Sequence, residues 1–189
     1  GTMMVPLCYV FMWAVSKNSW ISAFTTALLV FDFMHFTLSR IGTIDIIVAC
    51  FILLTFYLMY LVLKRLKHGI DRCTVLLMIL NGCAAGAAMA TKWTGVYAGA
   101  GIALMFFLLL MREYIPAHGK RDILTLFGIC VAVYLCIPAV IYVLSSLSYP
   151  MQPGEHLLKK MWDNQVLMLT YHESTVFDHP YSSEWYEWI

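Results

Sequence analysis

The segment FDFMHFTLSRIGTIDIIVACFILLTFYLMYLVL, Phe31–Leu63, sets the terms for the fold. Its second part, Ile46–Leu63, is apolar and carries no charge. An uncharged run of about 20 residues is what one helix needs to cross a bilayer. The part before it carries Asp32, His35, Arg40 and Asp45, and the run upstream, Ile21–Val30, is again uncharged. A charge at mid-bilayer costs roughly 2.5–3.5 kcal/mol on insertion scales. Charges placed between two such runs are therefore paired, solvated in a cavity or functional.

Working outward, the whole chain has the same character. Of 189 residues, 61% are hydrophobic and 12% charged, with a mean hydropathy of +0.77. Soluble domains average about 45–50% apolar and about 25% charged. The composition predicts an all-α, polytopic transmembrane helical bundle of about six spans. The net charge of +1 says little about partners, and no basic run suggests nucleic-acid binding. The six cysteines show no CxxC and no Cys/His ligand spacing, and read as small buried hydrophobes. The opening GTMMVPLCYV has neither a basic region nor a cleavage site, so it is not read as a signal peptide. Its short apolar run leads to the expectation that the chain is an internal piece of a longer protein, entering in mid-helix.

In order, spans are expected at about Met3–Val15 (truncated), Trp20–Leu38, Ile46–Leu63, Thr74–Ala90, Val96–Met111 and Ile123–Leu147. Pro138 is a candidate kink. Residues 1–148 form the bundle portion and residues 149–189 an extracytoplasmic loop containing an amphipathic helix. If the spans alternate, the connections at Lys17, 64–72 and 112–121 fall on one side and hold eight of the twelve Lys and Arg. That side is assigned to the cytoplasm. Arg40, Asp45, Lys92, Trp93 and the C-terminal segment are then extracytoplasmic.

Two Gly-x-x-x-Gly patterns, Gly82/Gly86 and Gly95/Gly99, flank the short turn TKWTG. Small residues let helix backbones approach closely, so a tight hairpin between the fourth and fifth spans is expected. The alternative is that missing side chains leave room for a lipid chain. After the breakers Pro150, Pro153 and Gly154, the residues Leu157, Leu158, Met161, Trp162, Gln165, Val166 and Leu169 recur at helical spacing. Trp162 suits a membrane interface. The last residues, HESTVFDHPYSSEWYEWI, read as an ordered loop re-entering the membrane at Trp185, Trp188 and Ile189.

Asp32 and His35 stand three apart, which places them on one helix face, with Arg40 a turn further out. The stripe reads either as a structural pairing facing the bundle interior or as part of a site. Arg40 and Lys92 are the two cations in the short outer connections, and together they would suit a lipid phosphate. Lys92 beside Trp93 equally fits interfacial anchoring. Asp45 opens a span, where it favours the helix dipole or pairs with Arg40. His172, Glu173, Asp178, His179 and Glu184 lack HExxH or HxH spacing, so no metal is expected. There is no Walker loop, GxGxxG or GxSxG.

The blocks FDFMHFTLSRIGTID, ATKWTG after a small-residue helix, MWDNQVLMLTYH and HPYSSEWYEW, in this order, closely resemble the bacterial branch of the protein O-mannosyltransferases. These are membrane glycosyltransferases of the GT-C class. The resemblance implies a multi-span bundle with an extracytoplasmic active face, no cofactor, a polyprenyl-phosphate-mannose donor and secreted protein acceptors. It implies transfer of mannose to Ser or Thr with inversion. Arg40 and Asp45 match the family's SR…D block and Lys92 its Lys after the glycine-rich helix. His179, Tyr181, Ser183, Trp185 and Trp188 match an acceptor-side loop. With Asp32 and His35, the first three form the candidate donor-phosphate site.

One departure stands out. The family's first outer loop carries an Asp-Glu pair thought to supply the catalytic carboxylate, and no Asp-Glu dipeptide occurs here. The catalytic residue is therefore unassigned, and the chain alone is expected to be inactive. Two other classes stay open: a transporter or flippase of a lipid-linked substrate, which predicts paired broken helices or repeats, and a non-catalytic membrane scaffold.

Overall fold

The computed structural model describes residues 1–150 and 154–174, with side chains through residue 171. Among them all regular structure is helical. Eight helices follow: α1 Met4–Ser16, α2 Ser19–Phe31, α3 Phe33–Ile41, α4 Ile44–Leu66, α5 Arg72–Thr91, α6 Thr94–Ala117, α7 Lys120–Ser146 and α8 Leu157–Ser174. Helices α4 to α7 are each long and apolar enough to cross a membrane, with mean hydropathies between 1.8 and 2.7 over their best windows. Helices α2 and α3 pass the same test only as a bent pair, and α1 is a shorter apolar helix. The chain is thus a polytopic helical membrane bundle. It divides into two compact units, Gly1–Ser145 and the segment from Ser146 onward.

The connections explain themselves locally. Lys17 takes the left-handed conformation at φ 55° and ends α1, and the Asn18 side chain accepts from the Trp20 and Ile21 amides to start α2. Gly42 (φ 73°) closes α3 with its N–H on the Leu38 carbonyl. Asp71 caps α5 by accepting from the Thr74 amide at 2.7 Å, from the Thr74 hydroxyl, and from Arg65 at 2.8 Å. The Thr74 hydroxyl first, then its amide, then Arg65 hold the Asp71 carboxyl well below the usual carboxylate range.

The sequence predicts one helix over Trp20–Leu38, and the structure corrects this. The chain breaks at Asp32, whose backbone is extended (φ −66°, ψ 119°), and α3 leaves α2 at 58°. The Asp32 carboxylate accepts the His35 amide at 2.6 Å, as an N-cap does. A carboxylate that satisfies the first turn of a new helix stabilises the break rather than decorating a continuous face.

The two prolines late in the bundle act alike. The Ile115 amide bonds to the Leu110 carbonyl and the Ile137 amide to that of Ala132, each five residues back. Pro116 and Pro138 follow at once. A proline ring collides with the carbonyl four residues before it, and a turn widened by one residue relieves that collision. Pro138 is therefore absorbed within α7 rather than breaking it. The stretch 112–117, read as loop, continues α6.

Helices α4 and α5 pack as an antiparallel pair at the centre. Met59, Val62 and Leu66 of α4 and Met78 of α5 form the core with Ile102, Phe106 and Tyr114 of α6 and Leu126 and Val133 of α7. Nearly half of the spanning window of α5 is buried (44%), against 17% for α6 and α7. The outer faces of α6 and α7 show Leu104, Phe107, Leu124 and Leu135, as lipid-facing helices do.

The expected hairpin is half right. Gly95 lies against the Ala88 backbone and Gly99 against the Met89 side chain, which joins α6 to α5 closely. Gly82 and Gly86 instead receive α7: a Cβ at Gly82 would strike the Val133 carbonyl, and one at Gly86 would sit 2.9 Å from Pro138 Cα. Asn81, fully buried beside Gly82, donates its side-chain N–H to the Thr55 carbonyl at 2.7 Å and ties α5 to α4.

In the second unit, α8 covers the residues read as a helix after the Pro and Gly breakers. Lys160 pairs with Glu155 at 3.3 Å, and Leu158, Trp162, Val166 and Leu169 are exposed along one stripe.

Candidate functional site

The two ends of the bundle differ in chemistry. At one end Tyr60 donates its hydroxyl to the Ala14 carbonyl at 2.8 Å, and Lys67 pairs with Glu113 at 2.7 Å. These contacts put the C-terminal parts of α1, α4 and α6, which lead into the three basic connections, toward one end of the bundle. At the other end lie the α3–α4 and α5–α6 connections, joined by Lys92 and Asp45 at 2.5 Å. The alternation of sides expected from the charge pattern is thus the alternation of the fold.

Asp45 sits in the first turn of α4, and Lys92 in extended backbone just past the last turn of α5. Their side chains are 45% and 39% exposed. An ion pair in that much solvent contributes about 0–1 kcal/mol to stability. Its effect is geometric: the carboxylate holds the flexible lysine at the mouth of the α5–α6 turn. The alternative partner for Asp45, Arg40, is not the one it takes.

Arg40 ends α3, five residues before Asp45. Its guanidinium lies 5.2 Å from the Phe36 ring, and it has no acidic partner among the described residues. A cation over an exposed ring gains about 0.5–1 kcal/mol and keeps its donors free. His35, Phe36, Ser39 and Arg40 line one groove of about 340 Å³ against the first turn of α1. The Ser39 hydroxyl donates to the His35 carbonyl, and His35 Nε2 is buried with no hydrogen-bond partner.

Of the five bundle residues predicted to share a site, four keep a place at this end: Arg40 and His35 in the groove, Lys92 and Asp45 in the ion pair. Asp32 stands at the break, exposed, where one of its carboxylate oxygens accepts the His35 amide as the α3 cap. Sequence reasoning missed Phe36, which seats Arg40, and Asn81, which ties the central helices. A lone amide inside an otherwise apolar span was the signal for the latter. His179, Tyr181, Ser183, Trp185 and Trp188 lie outside the described residues.

A family model described as dolichyl-phosphate-mannose-protein mannosyltransferase matches residues 1–147. The chain belongs to this family. The protein mannosyltransferase family makes it part of a multi-pass membrane glycosyltransferase, acting in general with a lipid-linked mannose donor and a protein acceptor. The match takes in the whole bundle with its ion pair and groove, and ends before α8. Comparison with curated proteins and with solved structures gives no match.

Proposed function

We propose that the protein carrying this chain transfers mannose from a polyprenyl-phosphate-mannose donor to Ser or Thr hydroxyls of secreted proteins, as the bacterial members of the family do. In this reading Arg40 and Lys92 hold the donor phosphate on the extracytoplasmic side, and the C-terminal segment with His179, Tyr181, Ser183, Trp185 and Trp188 faces the acceptor. The observation that carries it is the Asp45–Lys92 contact. It holds one cation at the bundle end where Arg40 stands free of acids among the described residues.

The chemistry explains why cations belong there, Arg40 bringing a charge with no acidic partner among the described residues and Lys92 one that Asp45 partly offsets. The acceptor hydroxyl attacks the anomeric carbon from the face opposite the phosphate. The bond from that carbon to the phosphate oxygen breaks, and the lipid phosphate departs with the electron pair. A base takes the hydroxyl proton. Negative charge grows on the leaving phosphate, and cations already in place stabilise it most in the transition state. His35, with a ring nitrogen free in the same groove as Arg40, is a further donor toward that phosphate. The chain alone is expected to be inactive, since the family's Asp-Glu pair is not in its sequence.

The test is mannose transfer by the full protein with Arg40→Ala and Lys92→Ala. Each is expected to lower kcat/KM by about 10²–10³, the usual loss for a removed transition-state donor. Asp45→Asn leaves the lysine charge but frees its side chain, so a smaller loss is expected. Wild-type rates in both alanine variants would sink the phosphate assignment.

The broken span at Asp32 favours one competing reading, a carrier of lipid-linked substrates, because discontinuous helices mark many transport sites. Among the described residues the break has no counterpart of similar bend, and its carboxylate is engaged in capping.

A further inference from the structure

At the end of the bundle away from Asp45 and Lys92, the α4–α5 turn borders an open cavity of about 630 Å³. Its floor is apolar, with Leu61 of α4 and Leu77 of α5. Its mouth carries Lys64, Arg65, His68 and Asp71. Gly69, at φ 105°, lets the chain turn back sharply above it.

The charges at the mouth are not equivalent. Asp71 accepts from the Thr74 amide, the Thr74 hydroxyl and Arg65. Arg65 and Asp71 therefore offset each other. Lys67 of the same turn is engaged with Glu113 and does not line the cavity. Lys64 has no ion-pair partner among the described residues, and neither has the His68 ring. The cavity keeps one uncompensated positive charge and a free imidazole.

The level of these groups identifies the ligand class. Lys64 follows directly on the uncharged run Ile46–Leu63, so its ammonium stands where hydrocarbon gives way to headgroups. Leu61 and Leu77 lie one turn deeper, within the apolar zone. A positive rim over an apolar floor at that depth matches an amphiphile with an anionic head, and basic pockets between membrane helices take such lipids.

We propose that this cavity binds the phosphodiester head of an anionic glycerophospholipid, with an acyl chain running along Leu61 and Leu77. The site is separate from the donor-phosphate site and does not depend on that assignment. A free phosphate shares the headgroup chemistry but gains nothing from the apolar floor.

The whole chain, purified in mild detergent, tests this by native mass spectrometry with phosphatidylglycerol or phosphatidylcholine added. Phosphatidylglycerol is expected to bind and phosphatidylcholine to bind at least several-fold more weakly. Lys64→Gln is expected to weaken phosphatidylglycerol about five-fold, as suits one headgroup-level cation, and addition of His68→Gln to weaken it further. Lys67→Gln is the control and should leave binding unchanged. All three side chains are exposed, so the fold tolerates the changes. Unchanged binding in Lys64→Gln overturns the proposal, as does an equal loss in Lys67→Gln, which would mean diffuse surface charge. Displacement of the lipid by millimolar inorganic phosphate would also overturn it, by showing a free-anion site.

Discussion

Asp32 accepts a hydrogen bond from the His35 amide, and that contact separates two roles a carboxylate can hold in a membrane protein. A cap needs only an acceptor oxygen, while a site that works by charge needs the negative charge itself. Asp32→Asn keeps the acceptor and is expected to fold like the wild type and, in the full protein, to leave the proposed mannose transfer unchanged. Asp32→Ala removes it and is expected to cost about 1 kcal/mol through loss of the α3 N-cap. Reversible unfolding in bicelles, followed for both variants beside their activity, distinguishes the roles. An inactive but well-folded Asp32→Asn would restore this carboxylate to the chemistry. Lys92 shows the complementary case. Its place as a cation in a short connection between two spans was legible in TKWTG, but its partner, 47 positions away in sequence, was not. No periodicity links positions that far apart, so Arg40 was an equally reasonable guess for Asp45.

Among the helices, close approach is decided by backbone rather than by side chains. The α5 glycines meet α7 at its widened turn, where the Val133 carbonyl and the Pro138 backbone leave no room for a methyl group. Backbone cannot rotate aside as a side chain can. Gly82→Ala is therefore expected to destabilise the bundle by about 1–3 kcal/mol. Gly101→Ala, on the open side of α6 with nothing within 4 Å of an added Cβ, should be neutral or slightly stabilising. Thermal unfolding of the two variants side by side checks the pair, and equal stabilities would refute the α5–α7 packing. The sequence showed that small residues line α5 and α6. It did not show which neighbour each stripe accepts, because Gly-x-x-x-Gly marks a face that fits any close helix. Widened turns at Ile-Pro are equally hard to foresee, since a proline in an apolar run is read as a break unless the following turns are known to continue.

For the molecule as a whole, sidedness is the property most open to test, and the protein carries its own probe. Cys73 is exposed in the first turn of α5, at the basic end. Cys8 is buried, Cys50, Cys83 and Cys130 are half-buried in the spans, and Cys136 is exposed on the apolar flank of α7. Only the thiol at the water-facing end should meet a membrane-impermeant maleimide. With the basic connections in the cytoplasm, labelling is expected only after cells are opened, and Cys73→Ser should abolish it. Labelling on intact cells would reverse the orientation and place the Asp45–Lys92 end inside. The helical bundle and the approximate limits of its four long spans followed from the residues alone, because hydropathy acts on each segment independently through the bilayer, whereas the six crossings expected become four, or five with the bent pair α2–α3, since α1 is too short to meet the same test. The break at Asp32, the choice of Lys92 over Arg40 and the packing of α7 on the α5 glycines came from helices meeting one another. Those contacts depend on distances between remote parts of the chain, which the order of residues does not contain.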